Sequence, residues 1–146
     1  MSRAAVSLVC LALLVAGCGR PIDTAILSAN AAAVSLDAAN EILSSRYRAD
    51  QLAAARRAHG DPASAATKAE RRDRVEAVRL NYRPAWAAYS AARSAWLSLA
   101  QGIGAAIEAE ARGASVPEVE LVLLVQALAR AQTELIRQSG ARGIDL

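Results

Sequence analysis

The sequence predicts an all-α protein: an elongated antiparallel three-helix bundle that continues into a coiled-coil hairpin. Three observations carry that expectation. Alanine recurs on almost every turn of a chain that is 54% hydrophobic, 3% aromatic and free of phenylalanine. Alanine is the strongest helix former because it loses no side-chain entropy on ordering. Four prolines and eight glycines in 146 residues are too little punctuation for many short strands. Apolar residues also repeat at alternating spacings of three and four over long stretches, the period of a helical seam. The length fits one domain. A formal charge of +3 argues neither for nor against an anionic partner.

The first segment, "MSRAAVSLVCLALLVAGC", has a short positive start at Arg3, an apolar run from Ala4 to Val15, and then small residues. That run is shorter than the roughly 20 residues that span a bilayer, and it has the proportions of a secretory signal peptide. Its end, Val15-Ala16-Gly17-Cys18, resembles the lipobox of bacterial lipoproteins. The resemblance implies that residues 1–17 are cleaved as a signal peptide and that Cys18 receives a diacylglyceryl group and an N-acyl chain such as palmitate. Residues 18–22 would then be the anchor and linker to the lipid bilayer. Each buried methylene contributes about 0.8 kcal/mol, so two or three chains hold a protein on a membrane for good. Gly19 after the cysteine, in place of Asp, implies within that family an outer-membrane lipoprotein facing the periplasm of a Gram-negative cell. Cys10 leaves with the signal, so the mature chain is expected to hold neither a disulfide nor a thiolate nucleophile.

The helical domain is expected over residues 23–140. A first helix, about 24–59, has Asp23 as N-cap, with Ile22 and Leu27 placed for a hydrophobic staple. Its seam reads Ile22, Ile26, Ala29, Ala33, Leu36, Asn40, Leu43 and Tyr47. It runs into "RRAHG", where Arg56, Arg57 and His59 suit the C-terminal dipole and Gly60 a left-handed cap. Asp61 then reads as the N-cap of a second helix, about 62–112, with Pro62 in its first turn. The second seam is Val75, Val78, Tyr82, Ala85, Tyr89, Ala92, Trp96, Leu99, Ile103 and Ala106. Pro84 falls inside it, and a kink is expected there because proline removes one backbone bond and crowds the Leu80 carbonyl. This helix ends near Gly113. A capping box of Ser115 and Glu118 opens a third helix, about 116–139, which Gly140 closes, and residues 141–146 read as a tail.

Helix lengths of about 54, 75 and 35 Å follow from 1.5 Å per residue. The third helix, apolar nearly all round from Leu121 to Val125, is expected to be sandwiched against part of each of the others. That leaves a three-helix bundle at the membrane end and a two-helix hairpin reaching away, its tip near Gly60. From Ser44 to Arg83 there are ten basic and five acidic residues, a net of +5. From Gly19 to Leu43 and Pro84 to Leu146 there are six basic and nine acidic, a net of −3.

Two groups of residues stand out as a partner surface. Trp86, Arg93 and Trp96 lie in an aromatic stripe with Tyr82 and Tyr89, suited either to seam packing or to stacking against a partner. Arg71, Arg72, Arg74 and Arg79 lie in "KAERRDRVEAVR", suited either to a solvated face with pairs such as Glu70 and Arg74 or to an anionic partner. His59 has no Cys or His at ligand spacing, so no metal is expected. Glu108 with Glu110, and Glu118 with Glu120, stand two apart and point away from each other, so they form no acid–base dyad. Gly102 and Gly104 fit a close helix contact. No nucleophile–base pair and no phosphate-cradling loop is present in the sequence. The expectation is a non-enzymatic lipoprotein with no cofactor, no small-molecule substrate and no nucleic-acid partner. It would act as an interaction or structural element of the envelope, bound to an envelope protein or to copies of itself. The alternatives are a module for an anionic envelope polymer, or a phage- or plasmid-borne envelope lipoprotein acting in lysis or exclusion.

Overall fold

A computed structural model describes residues 20–58 and 63–146. The chain is an all-α three-helix bundle: α1 spans Pro21–Arg56, α2 Ala65–Ala111 and α3 Glu118–Gly140. The lipobox with Cys18, and the turn residues His59, Gly60, Asp61 and Pro62, lie outside the described residues. Helices of 36, 47 and 23 residues are about 54, 70 and 35 Å long.

The helix starts differ from those expected. Proline at a first helical position needs no N–H and arrives with φ already set. Pro21 therefore opens α1 after an extended Arg20. Asp23 is not the cap; it sits in the first turn, where its charge suits the dipole. Leu27 is 62% exposed, so it makes no staple with the buried Ile22. Helix α2 begins at Ala65, where the Ser64 hydroxyl accepts the Thr67 N–H at 3.1 Å. The Ser115–Glu118 capping box does not form. Pro117 forces Val116 out of the helical region, and Pro117 itself becomes the N-cap, without a side-chain bond.

Left-handed glycines close two ends. Gly113, at φ 69°, ends α2 as expected, with the Ala114 N–H donating to the Ala109 carbonyl at 2.9 Å. After α3 that role belongs to Gly143, at φ 66°, rather than Gly140. The reversal brings the Ile144 N–H to the Ser139 carbonyl at 3.1 Å. It also lays Ile144 and Leu146 against the core, so residues 141–146 are a docked segment and not a free tail. Helix α2 runs through the exposed Pro84 without a break. Proline leaves the carbonyl four residues back without its helical donor. One residue on, the Asn81 carbonyl accepts from the Arg142 guanidinium, which also donates to the Gln138 carbonyl. Arg142 thus ties the end of α3 to α2 beside the proline.

Two core regions follow along the bundle. In the first, Ile22, Ala25, Ala29 and Ala32 of α1 meet Leu99, Ile103 and Ala106 of α2 and Leu121, Val125 and Leu128 of α3. In the second, Leu36, Ala39 and Leu43 meet Tyr82, Ala85, Ala88 and Ala92, with Leu135 and Ile144 closing the side. Each fully buried leucine contributes about 2 kcal/mol by leaving water. The α2 seam is as read: six of its ten positions are buried and the other four half-buried. In the α1 row Ile22, Ala29, Leu36 and Leu43 are buried as read, but the positions between them slip by one. The row also buries Ala25, Ala32 and Ala39, while Ile26 and Ala33 flank it half-buried and Asn40 is exposed.

Helix α3 packs against part of α1 and part of α2, as expected, but its outer face is open to solvent. It buries a single row, and Leu123 on its outer face is 58% exposed. Its close contact with α2 is at Gly102, where a Cβ would stand 2.6 Å from Leu124 Cδ1. Gly104 faces open space, so only one of the paired glycines serves a helix contact. Beyond Tyr47 and before Val78 the two long helices continue alone. In this arm Thr67 is the one buried side chain among the described residues.

Candidate functional site

On α2, Arg79, Arg83 and Trp86 stand at i, i+4 and i+7, so one helix face carries two guanidiniums and an indole. Leu80 and Ala87 continue that surface, and Tyr47 of α1 approaches from across the helix pair. Together these six residues line an open cleft of about 670 Å³ where the bundle passes into the arm.

The cleft's aromatic wall is held by ring contacts. Tyr47 lies 5.3 Å from Tyr82, with the rings tilted by 55°, and 6.5 Å from Trp86, nearly perpendicular at 83°. Trp86 in turn meets Tyr89 edge-on, with centroids 5.9 Å apart and the planes at 87°. Edge-to-face pairs of this kind contribute about 0.5–1.5 kcal/mol beyond the area they bury. Tyr82 is buried, and its hydroxyl donates to Asp50 Oδ2 of α1. Burial foremost, then the hydrogen bond to Asp50 and the charge behind it, push the Tyr82 phenol up to about 12. At neutral pH it is a fixed donor.

The rim is basic. Arg79 grips Glu76 through two nitrogens, Nε to Oε2 at 2.9 Å and Nη2 to Oε1 at 2.7 Å. That hydrogen-bonded pairing holds the Glu76 carboxyl below its usual value and lifts the Arg79 guanidinium above its own. Arg83 is exposed at the same rim. A planar fork of N–H donors beside an indole suits a ligand with a carboxylate at one end and an apolar body at the other.

The residues expected at a partner surface divide three ways. Trp86 and Arg79 line the cleft. Trp96 belongs to the packing: its indole N–H donates to the Ala29 carbonyl of α1 at 2.9 Å, and its ring touches both core regions. Arg93 is exposed on α2, outside the cleft. The four expected arginines do not form one patch. Arg72 stands seven residues from Arg79 and shares its helix face, about 10.5 Å along. Arg74 is on another face, paired with Glu70 at 2.8 Å as anticipated, and Arg71 is exposed.

Tyr47, Leu80, Arg83 and Asp50 were missed as site residues. The i, i+4, i+7 spacing of Arg79, Arg83 and Trp86 was the signal in the sequence that could have found Arg83. Tyr47 was legible only as a seam residue, because its partner ring lies on another helix. Among the described residues no group of His, Cys, Asp and Glu is placed to hold a metal ion, and no helix is long and apolar enough to cross a membrane. Comparison with protein-family models, with curated proteins and with solved structures finds no match to this chain.

Proposed function

We propose that the chain is a lipid-anchored, non-enzymatic interaction element of the bacterial cell envelope. Acyl chains on Cys18 hold it to the outer membrane, and the bundle and its arm face the periplasm. One observation carries the reading beyond the lipobox itself. Helix α1 starts at Pro21, three residues after Cys18, and Arg20 pairs with Glu110 at the far end of α2. An anchor at Cys18 therefore attaches to the base of a packed three-helix unit through almost no slack. The cleft stands partway along, about 39 Å from Pro21, and the arm carries on to the other end of helices about 54 Å and 70 Å long. A short tether on a stiff rod suits a protein that holds a contact at a set distance from the membrane.

The test begins with the full-length gene in a Gram-negative host fed an alkyne palmitate analogue. Label on the wild-type chain in the outer-membrane fraction, and none on Cys18→Ser, is the expected result; an unlabelled wild-type chain overturns the anchoring. A photo-crosslinking residue at Arg72 or Trp86 then reads out contacts in the living cell, and a discrete protein adduct is expected at one of them. Failure to trap any protein at either position overturns the interaction role. A second reading, binding to an anionic envelope polymer, rests on the net +5 from Ser44 to Arg83. It predicts binding that falls steeply with salt, since exposed charges are screened within about 10 Å at 0.1 M.

A further inference from the structure

We infer that the cleft lined by Tyr47 and Trp86 docks a short acidic peptide segment of a partner protein. An apolar side chain of that segment packs against the outer surface of the rings, and its carboxylates lie on Arg79 and Arg83. The inference rests on the interaction reading above and gives that contact a place and a chemistry.

Three features point to this occupant. Tryptophan, tyrosine and arginine are the residues that carry most of the energy at protein interfaces, and here they meet in one concavity of about 670 Å³. The rings are also set before any partner arrives. Trp86 is in edge-on contact with Tyr47 and Tyr89, and Tyr47 leans on a Tyr82 fixed by Asp50. Little side-chain freedom is left to lose on binding. The third feature is charge. Arg79 and Arg83 lie one turn apart, about 6 Å along the helix. Carboxylates on one face of an extended peptide repeat at about 6.8 Å. The surrounding stretch from Ser44 to Arg83 carries a net of +5, which favours an acidic partner over a basic one.

The Glu76–Arg79 pair sharpens the idea. Glu76 already presents a carboxylate to the Arg79 fork, so that fork has the geometry to take one. Arg79 is exposed and Glu76 about half so, and such a pair is easily exchanged. Glu76 is thus an internal competitor for the site, and removing its charge frees Arg79 for the partner.

Fluorescence anisotropy with the purified full chain in detergent tests this. The probe is a labelled short peptide with Glu, Glu and Leu at alternate positions separated by serines, so that all three share one face, set against the same peptide with lysine for glutamate and against polyglutamate. The acidic, leucine-bearing peptide is expected to bind in preference to both. Trp86→Ala and Arg83→Glu are each expected to weaken it by about tenfold or more, as at an interface hot spot, while Glu76→Gln tightens it. Arg83 is exposed, so its variant keeps the fold even if the tryptophan variant does not. No binding of the acidic peptide, equal binding of polyglutamate, or indifference to Arg83→Glu overturns the inference. No membrane enters this assay. A failure here leaves the anchoring at Cys18 standing, and an unlabelled Cys18 leaves the cleft standing.

Discussion

The bundle and the arm are built from the same two helices, yet they are held together differently. Within the bundle, α3 supplies Leu121, Val125, Leu128 and Leu135, and the facing rows of α1 and α2 are buried almost without interruption. Past Tyr47 that cover ends, and alanines, arginines and Leu52 face water. Helix propensity is high in both regions. The difference shows that for this sequence propensity makes helices, but a third apolar face makes a core.

The largest expected effect lies along that contrast. Leu99 is fully buried between all three helices, so Leu99→Ala costs about 2–5 kcal/mol in transfer and cavity terms. Leu52, 58% exposed in the arm, is expected to change stability by less than about 0.5 kcal/mol when made alanine. Urea unfolding followed by circular dichroism measures both, and equal losses would break the comparison. Amides of the arm are also expected to exchange with solvent sooner than those around Leu99.

A smaller effect is expected where the two regions join. Tyr82→Phe removes the hydroxyl that binds Asp50 and costs about 0.5–1.5 kcal/mol. Its pH signature is specific. The folded phenol is raised from 10.0 to about 12, so its contribution is complete below pH 10 and lost as the pH climbs to about 12. Stability of the wild-type chain should therefore fall over that alkaline window, and Tyr82→Phe should flatten the fall. Identical alkaline profiles would remove Tyr82 as the joint.

A change of about the same size separates the two glycines of α2. Gly104→Ala meets open space and gains helix propensity, about 0.8–1.0 kcal/mol. Gly102→Ala meets Leu124 and is expected to forfeit that gain as the leucine turns aside. A pair of thermal melts decides it, and equal gains would mean that α3 does not press on α2 there.

Much of this architecture was legible in the chain. The α2 seam was readable because Tyr82, Leu99 and Ile103 contrast with polar or small neighbours. In α1, Ile22, Ala29, Leu36 and Leu43 are buried as read, and the positions between them slipped by one because small residues such as Ala32 beside Ala33 offer little contrast. Where helices approach closely, the smaller Ala25 is buried in preference to Ile26. The missed starts come from prolines. Pro21 took the first helical position ahead of Asp23, and Pro117 displaced a capping box whose residues are all present. The cleft was half legible, since Arg79 and Trp86 share a helix face in any reading. Tyr47 joins them only when two distant segments lie side by side.

The two tryptophans fall on opposite sides of this division, and that makes the chain its own optical instrument. The indole of Trp96 is bonded to the Ala29 carbonyl between the two core regions, so its emission follows the integrity of the bundle. The indole of Trp86 lines the cleft, so its emission follows whatever enters. Replacing one tryptophan at a time by phenylalanine gives separate spectroscopic channels for folding and for occupancy, without any attached dye.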